Sequence, residues 1–298
     1  MTEIKDEQLL NLIIAADDEE LAQGVPPKAR SLGVTSRVMR RLGYTGFVLA
    51  GVSAPPIVRK ISDLHGSLYR PSDLAIGGIH GGIFMFRDIF ARIYVPIGYG
   101  KIGIDPFKLC DLSEMQMRWL ASNQNELSVY MDQFTDIFDF GAALGNYADY
   151  KLPPKGSLEL MHLAAFQFQA AAATLSVAFD FRGAIQSALI GTELALKGGL
   201  TAIGVDEKAR RKHGHDLASA ANAFALKMSN FDIDRVLRTL TRLPPYVENR
   251  YSPEQPSRVE TGHIVMGAQY VAGEVMRQIS GYSIRSAAKT PSKRTYPQ

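Results

Sequence analysis

The sequence predicts a two-part chain, an α+β N-terminal domain followed by an all-α antiparallel helical bundle. Three observations carry that prediction. Ile89, Ala91, Ile93, Val95 and Ile97 are apolar at alternating positions, the period of a half-buried strand. Two later stretches, 184–203 and 262–279, carry apolar residues at helical spacing instead. Between strand and helices, Lys151-Leu152-Pro153-Pro154-Lys155-Gly156-Ser157 is dense in breakers, so residues 151–157 read as a linker between domains over 1–150 and 158–282.

In the N-terminal region, residues 5–22 group Leu9, Leu10, Leu12, Ile13 and Ile14 against a charged end, as an amphipathic helix does. Gly24 and Pro26-Pro27 stop it. A second helical piece covers Thr35–Leu42. The apolar run 46–52, bounded by turn formers, suits a buried strand. Residues 73–107 read as β-rich: Gly77–Gly82 brings four glycines around His80, and tight turns explain them. Pro96 places the alternating strand near an edge. Gly98 and Gly100 suggest a turn into a return strand over 101–105. Helices are expected over Ser113–Ala121, capped by Ser113 with Gln116, and over Glu126–Ala143.

After Pro154 the spacing predicts a long helix over 157–179 and a second over 184–203, ended by Gly204. A charged loop leads to a third helix opening at His215-Asp216, where the carboxylate accepts from exposed backbone N–H groups. A fourth covers Asp232–Thr241 and the last Gly262–Ile279. From Ser286 the composition is polar and basic, which reads as a disordered tail over 283–298.

Charge and composition bound the function. The chain has 298 residues and net charge +3. The half from Lys151 onward holds 19 Lys and Arg against 12 Asp and Glu, enough to suit an anionic partner but small for a dedicated nucleic-acid binder. Cys110 is the single cysteine, which excludes an intramolecular disulfide and a thiolate-rich metal site, and a reducing cytoplasmic setting is expected. The acidic first residues do not read as a signal peptide. Residues 160–179 are the nearest thing to a membrane span, but His162, Gln167 and Gln169 interrupt them, so a buried helix and no membrane are expected. No cofactor or metal is called for. Gly77–Gly82 lacks the ending of a P-loop, and His65 and His80 with Asp63, Asp73 or Asp88 match no metal spacing.

Four elements of the helical half occur in a characteristic order: Glu193-Leu194-Ala195-Leu196-Lys197 at the end of an apolar helix, His215-Asp216-Leu217 at a helix start, Arg250-Tyr251-Ser252-Pro253, and a final helix rich in small residues. In that order they resemble the HEPN helical domains found beside prokaryotic nucleotidyltransferases and in RNA-targeting systems. The resemblance covers about 157–280 and implies an antiparallel bundle. It implies an RNA-, nucleotide- or partner-protein-binding module that forms homodimers in a defence, toxin–antitoxin or regulatory setting. Ribonucleolytic members use an Arg and a His four to six residues apart without a metal: His exchanges a proton with the ribose hydroxyl or leaving oxygen, and Arg holds phosphate charge. Arg258 and His263 have that spacing, so a metal-independent endoribonuclease is the alternative. Val259 departs from the polar residue usual after the Arg, and members of the His-Asp-Leu style commonly lack the pair. The bland reading makes His263 a helix-start residue and Arg258 a loop charge.

Candidate binding residues follow. Arg210, Arg211, Lys212, His213 and His215 form either a phosphate-holding lip or a solvated loop with His215 ordering the helix start. Lys197 faces a groove or pairs with Glu193. Arg250 and Tyr251 pack the end of the bundle or offer a base-stacking ring.

Overall fold

Leu9, Ile13 and Ala16 recur at helical spacing and are fully buried, which makes α1 (Asp6–Ala22) the first wall of a helical core. The computed structural model describes residues 4–49, 54–74, 78–97, 103–145, 154–246, 251, 254–287 and 293–298. They divide into two compact units, Met1–Gly77 and Gly78–Gln298.

In the first unit α1 packs on α2 (Pro27–Arg41) and α3 (Pro56–Ser67), joining Val34, Val38, Met39, Val58 and Ile61 in one core. A single turn, α4 (Pro71–Leu74), follows. The expected second helical piece is longer than Thr35–Leu42. Pro27 does not only end α1; its fixed φ and missing N–H suit the first position of α2. The expected strand over 46–52 is not found at 46–49, where Val48 is 49% exposed; residues 50–53 lie outside the described residues. The helical core takes Phe47 against its side without any pairing strand. α3 went unread in the sequence because Pro55-Pro56 resembles a loop and in fact starts a helix. Asp17 is the polar centre of this unit. It accepts from Arg30 Nη1 (2.9 Å) and Tyr69 Oη (2.6 Å), and His65 Nε2 lies 2.9 Å from its other oxygen.

The second unit opens with an antiparallel hairpin, β1 (His80–Phe86) and β2 (Ile89–Val95), in the register His80 to Val95 through Phe86 to Ile89. The alternation read at 89–95 is therefore a strand. Its partner is the glycine-rich segment before it; of the return strand expected over 101–105, residues 101–102 lie outside the described residues, and 103–105 have no regular structure. Glycine in β1 serves close approach. A Cβ on Gly82 would stand 2.6 Å from Gln269 Oε1 and 2.7 Å from Ile137. Gln269 uses that room to act as a substitute strand, accepting from Ile83 N and donating to Ile83 O, both at 2.7 Å.

α5 (Glu114–Ala121) begins at the expected capping box of Ser113 and Gln116. α6 (Gln124–Leu144) is buried along nearly its whole second half. Then come α7 (Lys155–Val177), α8 (Phe181–Ala202), α9 (Glu207–Arg211), α10 (Leu217–Ala225), α11 (Ile233–Leu240), α12 (Arg258–Ser280) and a short turn, α13 (Ile284–Ala287). The corner at 178–180 is short, so α7 and α8 return on each other. Gly191 permits this, since a Cβ there would stand 2.9 Å from the Phe168 ring. α12 packs on both α8 and α6.

The unit is thus mostly helical with a small two-stranded sheet; the compact units divide at Gly77 and Gly78, and a linker was expected at 151–157. Ile83 of β1 and Phe140 and Leu144 of α6 share one core with Met161, Phe168, Leu196 and Val275. Residues 78–145 also build a second core from Phe84, Ile93, Val95, Phe134 and Phe138, which Met266 and Tyr296 join from later in the chain, and the strands lie in one compact unit with the bundle. Residues 151–153 lie outside the described residues, and Pro154 is the N-cap of α7.

Two other expectations change. α7 has the length and apolarity of a membrane span. Its Met161, Ala164, Phe168, Ala171 and Leu175 are buried in the core, while Leu163, Phe166 and Val177 are exposed. The expected disordered tail is ordered at 283–287 and 293–298, and Tyr296 is 7% exposed. Composition alone missed this because buried carboxylates of α6, far away in sequence, bind the basic segment.

Candidate functional site

Ser257 caps α12 by accepting from Glu260 N, which makes Arg258 the first helical residue and puts His263 in the second turn. Five residues at about 100° each leave the two side chains roughly 140° apart around the helix. Their surroundings differ accordingly. The Arg258 guanidinium donates to the carbonyl of Asp88 in the hairpin turn and lies over the Phe90 ring, 4.4 Å from its centroid. His263 turns toward Tyr296, with ring centroids 6.2 Å apart, in a cleft of about 620 Å³ lined by Met85, Arg242, Glu260 and Tyr296. Burial, with the Arg242 charge behind it, holds His263 below its ordinary value. The structure does not bring Arg258 and His263 to one site.

A second cleft, of about 450 Å³, lies where α8, α10 and the turn after α11 meet. Leu189, Leu217, Leu237, Leu240 and Pro244 make its walls, and Glu193, His215, Asp216 and Thr241 supply polar groups. Its volume lies in the range of small-molecule clefts, and its lining is mostly apolar with a few polar groups. Glu193 organises the polar end. Its Oε1 takes Lys197 Nζ at 2.5 Å, and its Oε2 lies 2.7 Å from His215 Nδ1. A carboxylate only accepts, so Nδ1 carries the proton toward Glu193, and Nε2 is the second polar atom of the ring. The His215 ring is stacked flat on Tyr246, with centroids 4.9 Å apart and planes 9° from parallel. Asp216 caps α10 by accepting from Ser219 N, as expected.

The other sequence candidates divide. Arg211 pairs with Glu207, and His213 Nδ1 lies 2.8 Å from Ser219 Oγ. Arg210 has a buried Nε without a hydrogen-bond partner, and Lys212 is exposed at the end of α9. The loop thus leads directly into the His215 cleft. Lys197 is held by Glu193 and so belongs to the cleft through that carboxylate. Tyr251 is 73% exposed, and Arg250 lies outside the described residues. His65 belongs to the first unit and His80 to the second. His80 is enclosed against Phe140, and burial pushes its imidazole down to about 3. Among the described residues no group of three or more His, Cys, Asp or Glu is placed to hold a metal.

Sequence reasoning missed a cluster of buried charges on α6. Asp132, Asp136 and Asp139 lie on one face of α6 and are at most 2% exposed. A Cβ on Gly273 would stand 2.8 Å from the Asp136 carbonyl oxygen. This close approach of α12 brings Arg277, one turn on, to Asp136 (3.0 Å) and Asp139 (3.2 Å). Arg285 reaches Asp132, and Arg294 reaches Asp136. Three acids at i, i+4 and i+7 among Phe134, Ile137, Phe138 and Phe140 were the available signal: charge on the apolar stripe of a helix requires buried partners.

Comparison with protein-family models, curated proteins and solved structures finds no match to the chain, so its function is argued from this geometry.

Proposed function

We propose that the helical bundle is a HEPN-like binding module that holds a nucleotide, free or at the end of an RNA, in the His215 cleft. One observation carries the reading. An apolar cleft of about 450 Å³ ends in a stacked His215–Tyr246 pair. A base fits between aliphatic walls and meets His215 Nε2 or Asp216 at its polar edge. Lys212 and Arg211, close in sequence to His215, supply the charge for its phosphate. The Arg211–Glu207 pair is exposed and therefore weak enough to exchange for phosphate.

The test is isothermal titration of the full chain with nucleoside monophosphates, the matching nucleosides and a short single-stranded RNA. Micromolar binding that weakens in Tyr246→Ala and Lys212→Ala, and that falls with salt only for phosphorylated ligands, is the expected outcome. Nucleotide binding indifferent to Tyr246→Ala and His215→Ala, or none at millimolar ligand, defeats it. The ribonuclease alternative requires Arg258 to leave Asp88 and Phe90 and to share a phosphate with His263 across the helix.

We also propose that the module is a homodimer formed through α7. Leu163, Phe166, Ala170, Ala173 and Val177 are exposed in one row at alternating spacings of three and four. That is the pattern of a helix seam. Packed antiparallel about Ala170, Phe166 falls on the small Ala173 region of the second copy and Leu163 meets Val177, a self-complementary arrangement.

A further inference from the structure

Residues 293–298 lie on the bundle as a peptide lies on its receptor. Asp132 Oδ2 accepts from the backbone N–H of Thr295 (2.6 Å), from Thr295 Oγ1 (2.9 Å) and from the backbone N–H of Tyr296 (2.8 Å). The Arg294 guanidinium reaches Asp136 with two nitrogens, one of them at 2.9 Å, and sits 4.7 Å from the centroid of the Tyr270 ring. Its Nη1 also closes the peptide on itself by donating to Tyr296 O at 2.7 Å. The Tyr296 ring is 7% exposed, and its hydroxyl donates to His263 O at 3.3 Å. The receptor side offers two carboxylates that are at most 2% exposed with the segment in place, an aromatic face and a slot for a second ring.

The same carboxylates are under-satisfied without the segment. Asp132 would retain Arg285, and Asp136 would retain Arg277. Asp132 would lose three donors and Asp136 a two-pronged guanidinium, and a buried carboxylate left in that condition binds a replacement strongly. Arg rather than Lys fits, because the planar fork engages Asp136 while its face covers Tyr270. We propose that the groove between α6 and α12 is a peptide-recognition site for an Arg-Thr-Tyr segment, filled in cis by residues 293–298 and open to the same sequence presented in trans.

The occupant also matters to the neighbouring cleft. Tyr296 and Gln298 form part of the wall of the His263 cleft, beside Arg242 and Glu260. Exchange of the segment therefore changes access to His263. This inference does not depend on the nucleotide reading, whose cleft shares no lining residue with this one.

The experiment uses a fluorescent Lys-Arg-Thr-Tyr-Pro-Gln peptide and two forms of the full chain, wild type and Arg294→Ala/Tyr296→Ala. Saturable anisotropy is expected with the double variant. Binding to wild type is expected to be roughly ten- to a hundredfold weaker, because a tethered segment competes at about millimolar effective concentration. A peptide with Lys for Arg, or Asp136→Asn in the receptor, removes the binding. Hydrogen exchange on the wild type reads the same question without substitutions: millimolar unlabelled peptide accelerates exchange at the Thr295 and Tyr296 amides. Equal affinity for both proteins overturns occupancy in cis. Absent binding to the double variant, together with unchanged amide exchange, overturns the recognition site itself.

Discussion

Replacing Arg277 with alanine is the sharpest test of how the second unit is held together. The side chain is 10% exposed, donates to Asp136 and Asp139, and makes two further contacts with Glu274 at 2.9 and 3.1 Å. Arg277→Ala leaves three carboxylates facing one another without that guanidinium, a loss that costs about 3–5 kcal/mol when a buried pair is broken from one side. For a unit of this size each kcal/mol moves the unfolding midpoint by about 2–4 °C, so a fall of roughly 6–20 °C is expected. Trp119 is the only tryptophan and lies against Phe86, with ring centroids 5.1 Å apart, so its fluorescence during urea unfolding reports this unit alone. The exposed Arg118–Glu114 pair is the control, and Arg118→Ala is expected to cost at most about 0.5 kcal/mol. Adding Asp139→Asn to Arg277→Ala removes the buried carboxylate whose ion-pair partner is lost, while Asp136 keeps Arg294, and recovers part of the loss. An Arg277→Ala cost no larger than that of Arg118→Ala, or an Arg277→Ala/Asp139→Asn variant no more stable than the single one, would refute the account of these acids as buried charges needing compensation.

Four further outcomes follow from the geometry. Burial, partly offset by Arg277, pushes Asp139 up to about 6. Its folded value lies above its unfolded one, so the folded state binds the proton more tightly; the Trp119 transition gains stability from this group as pH falls from about 7 toward 4, and Asp139→Asn flattens the gain. Asp17 behaves oppositely. Burial raises it, but Tyr69, His65 and Arg30 together outweigh that and leave it below the usual carboxylate value. Its stabilisation is present above about pH 4 and is lost as pH falls through the depressed value, a loss followed by circular dichroism of the first unit and absent in Asp17→Asn. Phe166→Asp is expected to convert a dimer to a monomer in sedimentation velocity without loss of helical signal; a dimer that survives it does not use α7. In excess chelator, any RNA cleavage by the purified chain is expected to persist in both Arg258→Ala and His263→Ala, and its loss in both would restore the ribonuclease reading.

Local signals were legible because they act over a few residues. Ser113 with Gln116, Asp216 before α10 and the stop at Gly204 each satisfy backbone groups within a turn, and all are seen. The alternation at 89–95 shows a strand for the same reason. Proline was ambiguous. Pro27 and Pro56 start helices, yet from sequence Pro26-Pro27 reads only as the stop of the helix before, and Pro55-Pro56 resembles a loop. At the candidate sites the sequence supplied residue types and spacing but not direction. Arg258 and His263 have a spacing that suits a shared phosphate, yet the helix points them at different neighbours. His215 was read as a helix-start residue with a possible ligand role, and its stacking partner Tyr246 is 31 positions later in the chain.

The sequence by itself determined the helical character of the second half, the hairpin strand, the caps and a mildly basic surface, because period, turn chemistry and charge are properties of short segments. Tertiary structure alone decided where the units divide, that α6 buries three aspartates, and that a segment resembling a disordered tail is bound. The physical reason is the same in each case. Burying charge or closing a core depends on groups brought together from distant positions, as Asp132 and Asp136 are brought to Arg277, Arg285 and Arg294. No local pattern records which partners will arrive.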